Sequence, residues 1–519
     1  MTIGELVEKQ AQQYSDKIFL YWQDETVTYT QLNALTNKVA NMLHSLGIRK
    51  GDVVSVLLPN MPEYVYLYLG IPKLGAIVGP VNALFKAREI QFVVGHSEAK
   101  VLVTIPRFMD IVSTIQKDLP CLEHVIVIDE SSQEALSYHD LMEKAAATTP
   151  PTVSIDEKED PAAILYTSGT TGFPKGVLQT HFNIKRNAQM IIDHLGVDAN
   201  EDHRFMLILP LFHVNAQIVT VMSPLTLGAS TILTPGFSAK THWETVAKYR
   251  ATTFSAVPTI LSILLRMPHE GLDLSSIKWI ICGAAPLPIE IMKAFESTFH
   301  CSVVEGYGLT EGTCASSCNP LPTETEDRRK VGSIGVALPD TKMKIVDDSG
   351  NDVPAKGTGE IICKGDNVMK GYFKNPEANA ETLKDGWLYT GDLGYVDNDG
   401  FFYIVGRKKD LIIRGGENIY PREVEEVLYA YPGVTEAAVI GVFDEIYGEV
   451  PKAFIVMKEA YEASEDQILQ HCLENLADFK VPQYVEFRSE LPKNPTGKIM
   501  KTPLREEEAE KLQETNPSD

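Results

Sequence analysis

Cysteine is sparse and unpaired in this chain: seven residues, an odd number, stand at 121, 282, 301, 314, 318, 363 and 472 with no Cys-x-x-Cys set. That pattern offers neither a disulfide framework nor a zinc site, and Cys314 and Cys318 read as small buried or semi-buried residues. Positive charge is in deficit as well. With 47 Lys and Arg against 70 Asp and Glu, the net charge of -23 argues against nucleic acid or an anionic membrane as partner. Long apolar runs are missing: the most apolar stretch, 64–85, is interrupted by Pro72, Lys73, Pro80 and three glycines, so no integral membrane segment is expected. The start, Met1-Thr2-Ile3-Gly4-Glu5, carries no basic-then-apolar signal, and Asn516-Pro517-Ser518-Asp519 carries no peroxisomal or prenylation tag. A cytoplasmic location is expected. Internal repeats and low-complexity tracts are absent too.

What is present describes a large globular protein. At 519 residues, with 44% hydrophobic and 23% charged residues, the chain is too long for one core. Short β-branched runs alternate with helix-like stretches: 53–58 then 63–73, 101–104 then 108–117, and 124–128. The rhythm returns with strand-like runs at 205–209, 252–257 and 279–282, so a βαβ architecture is expected. Residues 148–160 read as a connector. From about 331 to 406 the style changes to alternating strands joined by tight turns, Asp347-Asp348-Ser349-Gly350 among them, which predicts an antiparallel β subdomain. A further change at Arg407-Lys408-Lys409-Asp410 opens an α+β unit of helix 422–430, two strands, helix 465–477 and a terminal strand.

The segment Tyr166-Thr167-Ser168-Gly169-Thr170-Thr171-Gly172-Phe173-Pro174-Lys175-Gly176 holds eight Gly, Ser, Thr or Lys in eleven residues, directly after the buried-strand run 162–166. Glycines let backbone N–H groups approach an anion, the hydroxyls of Thr167, Ser168, Thr170 and Thr171 add donors, and Lys175 adds a point charge. The pattern suits phosphate at the carboxyl end of a strand. It is not a Walker A loop, because Pro174 precedes Lys175 and Gly176 replaces the Mg-binding hydroxyl. Alone, such a loop is equally a flexible surface turn.

Other constellations have plain readings beside functional ones. Gly283-Ala284-Ala285-Pro286 ends a buried strand and leaves room for a flat ring, or merely packs a helix tightly. Glu305-Gly306-Tyr307-Gly308-Leu309-Thr310-Glu311 combines an aromatic face, a hydroxyl and a carboxylate suited to Mg2+; otherwise it is a turn with a solvated glutamate. Asp392 in Tyr389-Thr390-Gly391-Asp392 is able to accept from both hydroxyls of a ribose, or to cap its own turn. His213 follows an apolar strand and guards a substrate channel, or sits hydrogen-bonded in the core. Lys498 after Pro495-Thr496-Gly497 is, by itself, a surface charge.

In this order the motifs resemble the adenylate-forming superfamily of acyl-CoA synthetases, peptide-synthetase adenylation domains and luciferases. The likeness runs from Val27-Thr28-Tyr29-Thr30 to Lys498 and rests on at least six separated motifs. It implies an α/β fold with a large N-terminal region, 1–406, of two β-α-β sheets and an antiparallel β barrel, and a small mobile α+β C-terminal domain, 407–519. It also implies ATP, Mg2+ and CoA. By that resemblance residues 167–175, with Gly169 and Gly172, hold the β and γ phosphates, while Gly283, Ala284, Ala285 and Pro286 with Glu305, Gly306 and Tyr307 line the adenine. Thr310 contacts the α phosphate, Glu311 takes the metal, Asp392 and Arg407 bind the ribose hydroxyls, Lys409 is the hinge, Lys498 is the catalytic lysine, and Gly415-Gly416 border the pantetheine channel.

The implied chemistry explains these residue types. A carboxylate becomes an acyl donor once one oxygen is exchanged for AMP, which requires two anions to approach each other. Glu311-bound Mg2+, Lys175 and Lys498 supply the opposing charge. A CoA thiol then attacks the adenylate, and no protein nucleophile is needed. Amino-acid-activating relatives carry Asp where this chain has His213, which disfavours an amino acid. The apolar Val214, Ala216, Ile218, Val219, Val221 and Met222 suit a fatty acid, although a core helix needs the same residues. Asn215 and Gln217 keep a carnitine or betaine acid open. A stand-alone adenylation enzyme loading a carrier protein is the other alternative, and homodimerisation is left open.

Overall fold

The computed structural model describes residues 1–128, 135–167, 174–285, 287–323, 325–458, 461–493 and 498–515. Strands rich in Val, Ile and Leu form two large sheets. In the eight-stranded sheet Pro161–Thr167, Ile77–Pro80, Val53–Leu57, Val101–Thr104 and His124–Val127 run parallel in that spatial order, with Lys175–Thr180 and then Gly371–Tyr372 added antiparallel at one edge. Val53–Leu57 and Val101–Thr104 are buried along their whole length, as expected of strands covered on both faces. In the nine-stranded sheet Ile18–Trp22, Ser230–Leu233, Arg204–Leu207, Thr253–Ala256, Trp279–Cys282 and Ser302–Tyr307 are parallel neighbours. The expected βαβ rhythm is therefore realised twice.

Helices fill the layers around these sheets. Ile3–Tyr14, Tyr29–Ser45 and His181–Leu195 each start at a threonine whose hydroxyl accepts from the third helical N–H while the residue there reaches back to the cap. Such reciprocal capping satisfies two backbone donors that a helix start leaves open. One apolar core runs from Ile3 to Leu338 and joins both sheets; a second lies on the other face of the eight-stranded sheet, among Leu57, Ile90, Leu102, Val112 and Ile164.

Residues 331–406 curl as an antiparallel sheet of Thr341–Val346, Gly359–Gly365 and Trp387–Val396, with Leu383–Lys384 and Phe402–Arg407 also paired to the last of these. This curled sheet is the barrel element of the expectation. The region is stitched to its neighbours: Val336–Ala337 joins the nine-stranded sheet and Gly371–Tyr372 the eight-stranded one.

Beyond it, the hairpin Ile412–Arg414 and Glu417–Ile419, helix Pro421–Ala430, the long hairpin Val434–Asp444 and Gly448–Met457, helix Glu465–Asn475 and strand Tyr484–Phe487 enclose their own core of Ile412, Val424, Leu428, Val439 and Ile455. The expected terminal strand is not the end of this unit. A helix, Lys501–Thr515, follows it. Leu504 anchors that helix, fully buried against Ala438, Ile440, Phe454 and Leu491.

Candidate active site

Parallel strands bring their carboxyl ends to one edge of the nine-stranded sheet, where open α/β sheets bind ligands. Trp279–Cys282 and Ser302–Tyr307 are adjacent there, with Cys282 opposite Glu305. A Cβ added to Gly283 would stand 3.0 Å from the Gly306 carbonyl oxygen. Gly283, Ala284 and Ala285 thus share one small-residue floor with Glu305, Gly306 and Tyr307, and Ala284 takes a left-handed φ of 65° to do so. Pro286 lies outside the described residues. Glu305 is 4% exposed and accepts from Leu287 N at 3.3 Å. Burial raises its pKa to about 7, against the pull of the Arg422 cation.

Pro161–Thr167 and Lys175–Thr180 pair with Thr167 opposite Lys175, so the Gly- and Thr-rich segment connects two antiparallel strands. Ser168, Gly169, Thr170, Thr171 and Gly172 lie outside the described residues. At the mouth of the hairpin Thr167 Oγ1 donates to Glu311 Oε1 at 3.5 Å, and Tyr372 OH donates to the same oxygen at 2.8 Å. Lys175 Nζ stands 5.0 Å over the Tyr372 ring. A cavity of about 260 Å3 opens beside this group, lined by Leu309, Glu311, Glu360, Tyr372, Thr390 and Gly391.

Thr310 and Glu311 begin a 3-10 turn, Thr310–Gly312, and Thr313 ends it at φ 65° and ψ -59°. For a β-branched residue this conformation costs about 1–3 kcal/mol. The chain then doubles back so closely that a Cβ on Gly308 would lie 1.6 Å from Cys314 O. Only glycine fits there.

Asp392, 4% exposed, accepts from Tyr307 OH at 2.6 Å and from Arg407 Nε at 2.9 Å. Its turn is held by Gly391 N donating to Glu360 Oε1 at 3.0 Å and Thr390 Oγ1 donating to Ile361 O at 2.6 Å. Lys498 comes within electrostatic reach of Arg407, Asp392, Asp410 and Lys409. Burial first, and the Arg407 cation second, lower its pKa to about 8. Lys409 lies in the 3-10 turn Lys408–Asp410 that leads out of the curled sheet; burial and Arg407 lower its pKa too.

Three predicted residues belong to other elements: His213, Gly415 and Gly416. His213 precedes the helix Val214–Gln217; burial drops its pKa to about 4, which keeps it neutral, and its Nε2 has no hydrogen-bond partner among the described residues. Gly415 and Gly416, at φ 58° and 94°, make the two-residue turn between Ile412–Arg414 and Glu417–Ile419, where Gly415 N donates to Tyr447 O at 2.8 Å.

The AMP-binding enzyme family model matches residues 7–373, and the model of the AMP-binding enzyme C-terminal domain matches 423–498. The chain belongs to this family. It falls in the acyl-CoA synthetase branch of the adenylate-forming enzymes. It is 36% identical over 517 residues to a sulfoacetate–CoA ligase of Cupriavidus necator, covering 97% of each chain. It is 38% identical over 487 residues to the long-chain-fatty-acid–CoA ligase FadD13 of Mycobacterium tuberculosis, covering 93% of each. The solved structure of the anthranilate CoA ligase AuaEII with anthranoyl-AMP superposes with a TM-score of 0.90 at 31% identity, covering 98% of this chain and 97% of that one. As an AMP-forming CoA ligase, this AMP-binding enzyme uses ATP, Mg2+ and CoA.

The residues fit the metal. Among the described residues no group of three or more His, Cys, Asp or Glu is placed to cage an ion. Mg2+ needs no such cage, since it binds through one or two carboxylates and completes its shell with phosphate oxygens and water. Glu311, with the Thr167 hydroxyl beside it, offers such a carboxylate, and an ion held there would offset phosphate charge.

Tyr372, which steadies the Glu311 carboxylate, and Glu360, which holds the Asp392 turn, carry no motif of their own. Tyr372 is brought in by a two-residue strand, too short for any periodicity to announce. Among the described residues no helix is long and apolar enough to cross a membrane.

Proposed function

We propose that this enzyme activates a carboxylic acid with no charge beyond its carboxylate, a fatty acid first among them, as the acyl adenylate and passes the acyl group to CoA. The observation that carries the reading is the meeting of Thr167, Lys175, Tyr372 and Glu311 at the mouth of the phosphate hairpin. In this reading residues 167–175 hold the terminal phosphates, Thr310 the α phosphate and Glu311 the metal. The floor of 283–286 and 305–307 takes the adenine, and Asp392 with Arg407 takes the ribose. Lys498 stabilises charge between the substrate carboxylate and the α phosphate. Lys409 is the hinge at a boundary between 1–406 and 407–519, His213 guards the acyl channel, and Gly415-Gly416 border the pantetheine. A cytoplasmic location and a homodimeric state belong to the same proposal; fractionation and light scattering test them.

The acyl class follows from what surrounds residues 210–227. Ala216, Ile218, Val219, Val221 and Met222 are all buried there. The segment 210–227 contains no Asp, Glu, Lys or Arg. A sulfonate or a quaternary ammonium brought against it would be a buried charge without a partner, a cost of several kcal/mol in order of magnitude. Asn215 Oδ1, Gln217 Oε1 and His213 Nε2, which have no hydrogen-bond partner among the described residues, favour, as a second reading, an acid bearing a hydroxyl. The test is AMP release over a panel of short, medium and long fatty acids, aromatic and hydroxylated acids, sulfoacetate and carnitine. We expect CoA-dependent turnover with acids that carry no charge beyond the carboxylate. Turnover confined to sulfoacetate or carnitine refutes the acyl class, and AMP release that needs a carrier protein in place of CoA refutes the acceptor.

A further inference from the structure

The loop carrying Glu311 is held in a conformation it would not keep unaided. Thr313 stands at φ 65° and ψ -59°, and Cys314 N donates to Gly312 O at 2.8 Å across it, which makes Thr313 the centre of a γ-turn of the strained hand. Its fastener comes from another sheet. Gln179, fully buried on the strand Lys175–Thr180, donates from Nε2 to Thr310 O at 3.0 Å and to Thr313 O at 3.1 Å. These carbonyls bracket the turn: one belongs to the residue before Glu311, the other to the strained residue itself. Asn367 supports the same loop, accepting from Thr313 Oγ1 at 2.6 Å and donating to Gly312 O at 3.3 Å. Gln179 Oε1 has no partner among the described residues, so the two donations orient the side chain. An interior amide with its acceptor unmet is a cost that only its donors offset.

We propose that Gln179 is a positioning residue of the metal site, clamping the carbonyls of Thr310 and Thr313 so that the strained turn holds the Glu311 carboxylate in place. The clamp lies on the same strand as Lys175. It therefore sets the spacing between the phosphate-loop cation and the carboxylate that takes the metal. This rests on the reading that Glu311 is the magnesium ligand.

The test is calorimetric binding of MnATP to the wild type, Glu311→Gln, Gln179→Met and the double variant Gln179→Met/Thr313→Gly, with thermal unfolding run on each. Gln179→Met is expected to weaken MnATP binding by about tenfold to a hundredfold, the range for residues that orient a metal ligand, and Glu311→Gln, which removes the ligand charge, by at least as much. Thr313→Gly is expected to recover most of the Gln179→Met loss, because glycine takes a φ of 65° without a clamp. A glutamine that served only packing would gain nothing from a second cavity, so failure of that recovery overturns the proposal. Unchanged affinity in Gln179→Met beside a weakened Glu311→Gln overturns it as well. Unchanged affinity in Glu311→Gln instead overturns the assignment of the metal ligand. Should Gln179→Met not fold, Gln179→Asn, which keeps the amide but draws it back by one methylene, carries the same expectations.

Discussion

Lys498 and Glu305 are single residues whose protonation the surrounding protein has moved towards neutrality. The ammonium of Lys498 is lost as pH rises through about 8. If Lys498 has the role proposed for it, adenylation is expected to fall on the alkaline side in kcat/KM for ATP, the parameter that reports free-enzyme groups. Lys498→Arg, charged at every accessible pH, should flatten the profile at a lower rate, and Lys498→Ala should abolish adenylation while sparing thioester formation from supplied adenylate. A wild-type profile flat to about pH 9.5 would remove Lys498 from this role. For Glu305 the folded pKa of about 7 lies above the ordinary value of 4.5, so its stabilising contribution is full in acid and is lost as pH rises through 7. Glu305→Gln should accordingly gain on the wild type between pH 5 and 8, by at most about 3 kcal/mol. Urea midpoints that shift in parallel across that range would contradict it. Neither effect was legible in the sequence, because the groups acting on each residue come from distant parts of the chain, Arg422 and Glu426 on Glu305 and Arg407 and Asp392 on Lys498.

Elements explain which motifs could be read and which could not. Buried parallel strands announce themselves as runs of Val, Ile and Leu, and 53–58, 101–104 and 279–282 became strands within a residue at either end. The terminal helix Lys501–Thr515 was missed because it is polar nearly all round and shows no apolar face; Leu504 and ion pairs such as Lys501–Glu425 and Arg505–Asp410 hold it in place. Val336–Ala337 and Gly371–Tyr372 are set by sheets made elsewhere in the chain. The π-helical turn Ile218–Met222 likewise has no periodic signature. Two glycine requirements separate cleanly, one in the loop before Glu311 and one in the hairpin turn at 415–416. Gly308→Ala drives a Cβ to within 1.6 Å of a backbone oxygen, whereas a Cβ on Gly416 meets nothing within 4 Å and suffers only from its φ of 94°. Urea melts should show Gly308→Ala losing at least about 3 kcal/mol, or failing to fold. Gly416→Ala should lose about 1–2 kcal/mol. Equal losses would mean that the loop yields and that its close approach is not rigid.

At the scale of the whole molecule, strand exchange makes one cooperative body of the two large sheets and the curled one, while residues 412–485 enclose a core of their own. Calorimetry should resolve two transitions, and a chain ending at residue 406 should retain only the larger. A single transition, or an insoluble fragment, would count against the boundary proposed at 406. The placement of Lys498 has a mechanical meaning. Leu491 on one side and Leu504 on the other are pinned in the same small core, and Lys493 bridges to Ile499 between them. The lysine is thus fastened at both shoulders like a tooth on a cog. On the catalytic role proposed for Lys498, clearing the cleft after the first half-reaction would mean turning the terminal unit about the proposed pivot at Lys409, so that one pivot would gate both steps.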